Sequence, residues 1–193
     1  VVISDEVYKT IRYGDAPYVS IASMPGMAER TVVTDAFSKA YAMAGWRLGF
    51  AIGPEWLIGK MPSTHDVTVA CVNAPFQYAG AYALRNCDDE VIEMREKFRR
   101  RKDVIVSGIR SIPGMRCLDP AGTFYLWVNI QDLQVTSDEF CFGLLDQEHV
   151  AVVPGNGFGE AGEGYVRITY ASNEDMLRQG IERIGRYVRG LRR

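Results

Sequence analysis

Lys39 is the residue whose type and sequence neighbours best suit covalent chemistry. Residues 31–37 predict a strand that ends directly before Ser38 and Lys39, and residues 45–49 (Gly-Trp-Arg-Leu-Gly) open the next strand. Ligands bind at the carboxyl ends of strands in an α/β sheet, and a partly desolvated lysine amine beside another cation is a nucleophile for Schiff-base formation. Arg47 offers a planar fork that suits a phosphate. The alternative is a surface lysine with a structural arginine.

A carboxylate and a phenol follow the first apolar run of the chain. Residues 1–4 predict a buried strand of a parallel sheet. Asp5 comes directly after this strand, and Tyr8 follows three residues later. Asp5 is placed to hold a protonated ring nitrogen through a charge-assisted hydrogen bond. Tyr8 is placed to hydrogen-bond an oxygen on the same ring. The alternative is that both are turn residues that cap a helix.

Arg167 lies in the middle of an apolar, alternating segment, residues 164–171. An unpaired charge is too costly to keep buried, so this arginine requires an anionic partner. Two partners fit: a carboxylate of the protein in a structural salt bridge, or the carboxylate of a substrate bound by the two prongs of the guanidinium.

Residues 157–162 match the pattern G-x-G-x-x-G, which elsewhere binds dinucleotides. That fingerprint requires a helix directly after it, because the helix N-terminus binds the pyrophosphate. Here Pro154 precedes the glycines and a strand follows them. We therefore predict a flexible loop without a nucleotide site.

The elements that must position these residues change in character along the chain. Strands and helices alternate first, as in an α/β portion, and a small α+β unit follows. The long helix has an i,i+4 pair of Glu96 and Arg100, and Ser172 is the expected N-cap of the last helix. Strands are predicted at 1–4, 31–37, 46–52, 123–130, 150–153 and 165–170, a helical turn at 20–24, and helices at 62–86 (interrupted at Pro75), 88–112, 137–148 and from 172.

Composition excludes several classes of function. The net charge is −2 with both signs interspersed, so no nucleic-acid surface is expected. The four cysteines are widely spaced and only two histidines accompany them, which argues against zinc or any other metal site and favours a reducing, cytoplasmic setting. No run of about 18 apolar residues exists to span a membrane, and no secretory signal is expected. Because a chain rarely opens inside a core strand, residues are expected to precede Val1.

Taken together and in this order, the motifs resemble the class I and II aminotransferases of the fold-type-I pyridoxal-phosphate enzymes. The resemblance covers essentially the whole chain and includes Pro-Ala-Gly-Thr-Phe-Tyr at 120–125 and Val-Val-Pro-Gly at 152–155. It implies the C-terminal half of such an enzyme. Residues 1–86 would be part of the large α/β cofactor-binding domain, 87–112 a connecting helix, and 113–193 the small C-terminal α+β domain.

The resemblance also implies a role for each candidate residue. Lys39 would form the Schiff base with pyridoxal 5'-phosphate and then move a proton between the substrate and the cofactor. Asp5 would keep the pyridine nitrogen protonated, and Tyr8 would contact the ring hydroxyl. Ser38 and Arg47 would bind the phosphate. Arg167 would bind the α-carboxylate of an amino acid or a 2-oxo acid.

Two departures from the family pattern affect these expectations. Many relatives have a phosphate-binding serine three residues before the lysine, where this chain has Ala36. The family's N-terminal half also supplies a phosphate-binding loop, an aromatic residue that stacks on the ring, and an asparagine near the ring hydroxyl. We therefore expect the 193 residues alone to bind the cofactor poorly and to transaminate negligibly, with an exposed apolar strand edge.

Two other functions stay open for the parent protein. One is a sibling enzyme on the same scaffold, such as a carbon–sulfur β-lyase or a related synthase. The other is a non-catalytic interaction module that keeps the fold. Replacing Lys39 by Ala separates an enzyme from such a module. The resemblance further implies a homodimer of the full-length protein, with neither nucleic acid nor membrane as a partner.

Overall fold

Two separate sheets carry the candidate residues, one in each of the two units into which the chain divides, Val1–Arg95 and Glu96–Arg193. The structure is a computed structural model that describes residues 1–191. Its strands and helices alternate in the first unit and form an antiparallel sheet with helices in the second. The predicted mixed α/β class is confirmed. The domain boundaries proposed from the sequence stay a prediction.

The first sheet contains strands β1, β2 and β3, in that spatial order. β1 and β2 run parallel, and β3 runs antiparallel to β2. The carboxyl ends of β1 and β2 and the start of β3 therefore lie at the same edge of the sheet. The bounds are Val2–Asp5 for β1, Thr31–Ala36 for β2 and Gly49–Ile52 for β3.

One helix lies between β2 and β3 in the chain, and four more follow β3 before the second sheet begins. The predicted break near Pro75 is found as a short non-helical segment between two helices, with the proline in the first turn of the second. Pro there costs little because its missing N–H would have no helical partner. The bounds are Phe37–Ala40 for α1, Glu55–Ile58 for α2, Met61–Val69 for α3, Ala74–Asn86 for α4 and Asp88–Arg110 for α5.

Strand β1 differs from its expectation in burial. The predicted strand and its parallel pairing with β2 are confirmed, but Ile3 is 74% exposed, because strand side chains project from the faces of the sheet and the rest of residues 1–191 leaves this face of β1 uncovered. Among the same residues, β2 is the strand partner of β1, which therefore forms one edge of the sheet. β3 forms the opposite edge, where Ile52 is 62% exposed. The sheet therefore has an apolar edge strand on each side, an arrangement that proteins usually cover.

The second unit contains a four-stranded antiparallel sheet in the order β4-β5-β7-β6. Alternate residues of β5 and β7, such as Val128 and Val166, are fully buried on one face. The opposite face carries Trp127 and Arg167, which lie directly across from each other. The bounds are Arg116–Cys117 for β4, Tyr125–Asn129 for β5, Ser137–Glu148 for α6, Val153–Pro154 for β6, Tyr165–Thr169 for β7 and Glu174–Leu191 for α7.

Local backbone and side-chain chemistry explains where element ends depart from their predictions. The third strand starts at Gly49 and not at residue 46, because residues 44–46 form a 3-10 turn and Arg47 is left-handed (φ +53°). Asn173, and not Ser172, caps the last helix, since its Oδ1 accepts the Met176 N–H at 2.8 Å. On α5, Glu96 pairs with Arg99 at 2.7 Å instead of Arg100.

The four cysteines are all free thiols. Burial raises the pKa of the Cys141 thiol to about 12, which makes it a packing residue at neutral pH. Within residues 1–191, no group of three or more His, Cys, Asp or Glu side chains is arranged to hold a metal ion. In the same residues, none of the helices is both long and apolar enough to cross a bilayer.

Glu6 is a buried carboxylate that holds the turn after β1. Its side chain accepts hydrogen bonds from the hydroxyls of Ser4 (3.2 Å) and Ser20 (2.5 Å), and the residue is 4% exposed. Desolvation, and then the nearby Glu6 carboxylate, raise the pKa of the Tyr18 phenol. Glu6 thus joins the strand end to the segment around residue 20.

We predict that Glu6→Ala lowers the free energy of unfolding of the first unit by about 1–3 kcal/mol, because its hydroxyl donors lose their acceptor. Urea unfolding is followed through the fluorescence of Trp46 and Trp56 in a Trp127→Phe background. Glu29→Ala, which removes an exposed carboxylate, is the control and is expected to change stability by less than about 0.5 kcal/mol. Equal effects of the two variants would contradict the bridging role of Glu6.

Gly80 on α4 packs against the segment that leads to Lys39. A Cβ at Gly80 would lie 2.5 Å from Leu48 Cδ2 and 2.9 Å from Phe37 Cζ. Phe37 and Leu48 belong with Ala83 to one buried cluster. The missing side chain at Gly80 therefore allows α4 to approach α1 closely.

We predict that Gly80→Ala destabilises the first unit by about 1–2 kcal/mol, since overpacking outweighs the better helix propensity of alanine. The fluorescence assay described for Glu6 measures the effect. Gly14→Ala is the matched control, because a Cβ there meets nothing within 4 Å. An unchanged Gly80→Ala protein would mean that Phe37 and Leu48 move aside at no cost.

Candidate functional site

The register of the first sheet brings together the segments that carry five of the candidate residues. Ala36 at the end of β2 pairs with Gly49 at the start of β3, and the pairing continues when the Phe37 N–H donates to the Leu48 carbonyl at 3.1 Å. Because β1 is parallel to β2, its carboxyl end lies at the same edge. This edge therefore carries the ends of segments bearing Asp5, Tyr8, Ser38, Lys39 and Arg47.

Lys39 and Tyr8 are in contact at this edge. The Lys39 Nζ lies 5.8 Å from the centroid of the Tyr8 ring, within the range of a cation–π interaction. Both side chains are partly buried. Lys39 is on the one-turn helix α1, which starts directly where β2 ends. The structure thus places a lysine amine beside a phenol, while the roles of these residues stay a prediction.

Asp5 is exposed at the end of β1. Its Oδ1 accepts a hydrogen bond from the Val7 N–H at 3.1 Å, so the residue does act in the turn, as the alternative interpretation proposed. A carboxylate accepts several hydrogen bonds at once. The turn contact therefore leaves acceptor capacity on Asp5 for a ligand at the same edge.

Arg47 and Ser38 flank the loop that connects α1 to β3. The Arg47 side chain is exposed, and its Nη1 donates to the Ala44 carbonyl at 2.9 Å. Ser38 is partly buried on α1. The guanidinium has five donors, so this bond to its own loop leaves further donors for an anion such as phosphate.

Tyr41 follows Lys39 closely and borders the same loop. Burial first, and then the carboxylates of Asp88 and Asp35, raise the pKa of its phenol. Tyr41 therefore stays a neutral hydrogen-bonding group at neutral pH. Its ring also packs on Phe37 at a centroid distance of 5.3 Å, which supports α1 from the loop side.

Arg167 lies on β7 in the second unit, between two aromatic rings. Its guanidinium carbon is 4.4 Å from the centroid of the Tyr125 ring and 4.7 Å from that of the Phe158 ring. In the part of the chain that the structure describes, no carboxylate forms an ion pair with it, so the structural salt bridge is not what holds this charge. Rings that stack on a guanidinium occupy its faces and leave the donors in its plane for other partners.

The glycine pattern at 157–162 forms two short 3-10 turns, Gly155–Phe158 and Glu160–Gly162. The next regular element is β7, which confirms that no helix follows the glycines. One of these turns has a different use: it presents Phe158 to Arg167. The prediction of a loop instead of a dinucleotide fingerprint is thus confirmed.

Sequence analysis missed an ion pair beside Lys39. The Lys9 Nζ lies 2.7 Å from the Asp35 Oδ2, and the Asp35 side chain is only 10% exposed. A signal for it did exist, because Asp35 is the charged residue of a strand that otherwise contains apolar residues and threonines, and a buried carboxylate requires a partner.

Comparisons with known proteins agree on one family. The family model "Aminotransferase class I and II" matches residues 1–184. The putative aminotransferase YugH of Bacillus subtilis is 42% identical over 188 residues, which are 97% of this chain and 48% of that protein. An aspartate aminotransferase of Pyrococcus abyssi is 43% identical over 194 residues and covers 98% of this chain and 49% of its own length.

A solved structure agrees with these sequences. The crystal structure of an aromatic aminotransferase from Pyrococcus horikoshii OT3 superposes with a TM-score of 0.95 at 42% identity, over 98% of this chain and 51% of that one. The α/β fold expected from the family resemblance is thereby confirmed. The chain spans about half the length of the curated relatives it matches. Coverage measures the extent of a match and not its position, so the C-terminal assignment stays a prediction. By its family model, its relatives and its fold, the chain belongs to the class I and II aminotransferases.

Proposed function

We propose that the chain is part of a pyridoxal-phosphate-dependent enzyme that transfers an amino group between an amino acid and a 2-oxo acid. The observation that carries the proposal is the contact between the Lys39 Nζ and the Tyr8 ring, at the sheet edge that also bears Asp5 and Arg47. An amine, a phenol, a carboxylate and a guanidinium at one edge are the groups that a phosphorylated pyridine aldehyde requires.

The residues present fit this cofactor. Lys39 would form the covalent bond to its aldehyde carbon. Asp5 would pair with the ring nitrogen, since its exposed carboxylate has acceptor capacity beyond the bond to Val7. Tyr8 would donate to the ring oxygen, and Ser38 and Arg47 would contact the phosphate. Ala36 at the position of a serine in many relatives shifts the phosphate contacts towards Arg47 and towards groups outside these residues.

The bound cofactor would supply an electron sink for negative charge that develops at the substrate α-carbon. The protein's part is to hold and move protons. Once it is free of its covalent bond, the Lys39 amine would act as the general base that takes the proton from the substrate α-carbon. The same amine would hold this proton until it is given back. Asp5 would act throughout as a fixed negative charge beside the ring nitrogen.

Arg167 would bind the α-carboxylate that all amino acid and 2-oxo acid substrates share. Its guanidinium is oriented by Tyr125 and Phe158, so little side-chain entropy is lost when a carboxylate binds its planar edge. This recognition is common to every α-amino acid, and the relatives are named for aspartate, aromatic and diaminopimelate substrates. The proposal therefore covers α-amino acids with any side chain as amino donors. We further expect a homodimer, as the family resemblance implies, and a cytoplasmic setting, as the widely spaced cysteines favour.

We predict that pyridoxal 5'-phosphate followed by borohydride reduction labels Lys39 at least about tenfold faster than the exposed Lys60, because Lys39 lies beside groups that orient the aldehyde. The sequence has five lysines, so peptide mapping by mass spectrometry assigns each adduct: Lys9, Lys39, Lys60, Lys97 and Lys102.

Two variants control this experiment. Lys39→Ala should abolish the fast adduct, and Lys60→Arg should leave it unchanged, because Lys60 is outside the candidate edge. Uniform slow labelling of all five lysines in the unaltered chain would remove the basis for the enzymatic proposal and favour an interaction module.

We predict negligible transamination by residues 1–193 alone, below about a thousandth of the rate of a full-length aspartate aminotransferase, because positioning and desolvation of the cofactor need groups beyond this half. A coupled assay of 2-oxo acid formation from aspartate, alanine and phenylalanine measures the rate, with the Bacillus subtilis aspartate aminotransferase as positive control. Clear turnover together with a lysine–cofactor absorbance band would show that the half is self-sufficient.

A further inference from the structure

The ion pair between Lys9 and Asp35 joins the two segments that carry Tyr8 and Lys39. Lys9 is the residue after Tyr8 in the turn beyond β1, and Asp35 is on β2, just before the helix of Lys39. The Nζ–Oδ2 distance is 2.7 Å, and the side chains are 36% and 10% exposed. Because Asp35 is largely shielded from water, its attraction to Lys9 is stronger than that of a surface pair.

The Asp35 carboxylate uses its two oxygens for different segments. Oδ2 holds Lys9, and Oδ1 accepts the N–H of Ala36 at 2.7 Å. Ala36 is the extended N-cap residue of α1, with φ −147°. One carboxylate thus anchors both the turn of Tyr8 and the N-cap residue of the Lys39 helix.

The turn itself is held at both ends around Tyr8. Before it, the Glu6 N–H donates to the Thr34 carbonyl at 2.9 Å and continues the pairing with β2. After it, the Lys9 N–H closes the turn onto the Glu6 carbonyl at 2.9 Å, and its side chain reaches Asp35. Loss of the ion pair would leave the second end held by backbone hydrogen bonds alone, and the orientation of the Tyr8 ring would loosen.

We propose that Lys9 and Asp35 are positioning residues for the reaction, which hold the Tyr8 ring against Lys39 and thereby orient the Lys39 amine. This inference rests on the proposed function. Neither residue is among those placed on the cofactor or substrate. They act through Tyr8 and Lys39, so their removal should slow the reaction of the Lys39 amine without removing any group that takes part in it.

The test compares five variants in the pyridoxal 5'-phosphate and borohydride labelling of the full chain. Two variants break the ion pair: Lys9→Met, which keeps the aliphatic stem, and Asp35→Asn, which keeps an acceptor for Ala36. Each should slow the labelling of Lys39 about fivefold. This loss is smaller than the roughly hundredfold loss of rate that a misplacement of about 1 Å can cause. The double variant should be no slower than either single one, since they break the same pair. Lys9→Arg should restore the rate to within about twofold, and Lys60→Met should not change it.

A second measurement separates this inference from the proposed function and from simple loss of stability. Nuclear Overhauser effects between the Tyr8 ring and the Lys39 side chain are recorded well below the unfolding transition of each variant. They should weaken in Lys9→Met and persist in Lys9→Arg and Lys60→Met. A chain that never labels at Lys39 overturns the proposed function, and unchanged Overhauser effects or labelling rates in Lys9→Met overturn the positioning role.

Discussion

The register between β2 and β3 is the constraint on which the candidate site depends. Pairing Ala36 with Gly49 closes the loop between them, so that Lys39 and Arg47 return to one edge of the sheet. Parallel pairing of β1 with β2 adds Asp5 at the same edge. A slip of one residue would turn every side chain of a strand to the other face. The chemistry of the site is therefore set by backbone pairing before any side chain interacts.

Three buried or half-buried charges in this chain are stabilised in three different ways. Glu6 is surrounded by hydroxyl donors, Asp35 by an ammonium group and a backbone N–H, and Arg167 by two aromatic faces. The first two arrangements use the acceptor capacity of the carboxylate: Glu6 holds the turn after β1, and Asp35 holds the backbone just before the Lys39 helix. The third leaves the donors of Arg167 in its plane. Charges that serve the fold are fully paired, whereas the charge proposed to bind substrate is oriented and left with capacity to bind.

Local signals in the sequence were sufficient for parts of the fold and insufficient for others. The helix Ser137–Glu148 matches its prediction at both ends because Thr136 and Glu139 form a capping box and His149 takes a left-handed conformation. The contact between Lys39 and Tyr8 follows from two strand ends at one edge. The strand predicted at 150–153 shrinks to Val153–Pro154, because its length depends on where β7 can pair with it. The partner of Lys9 is likewise determined by strand pairing and is absent from the sequence around it.

The edges of the first sheet and the candidate site at its end are linked by geometry. Among residues 1–191, β1 and β3 each have one side without a strand partner. Each of these edge strands also carries an exposed isoleucine, Ile3 on β1 and Ile52 on β3. A segment that paired with β1 or β3 would run alongside that strand. One end of the segment would then lie near the end of the sheet where β1 and β2 stop, which is where Asp5 and Lys39 lie. Apolar burial that completes the sheet would then also bring new side chains to the candidate site. Stability of the sheet and completeness of the site are coupled requirements, and the additional residues that relatives of twice this length possess can satisfy both at once.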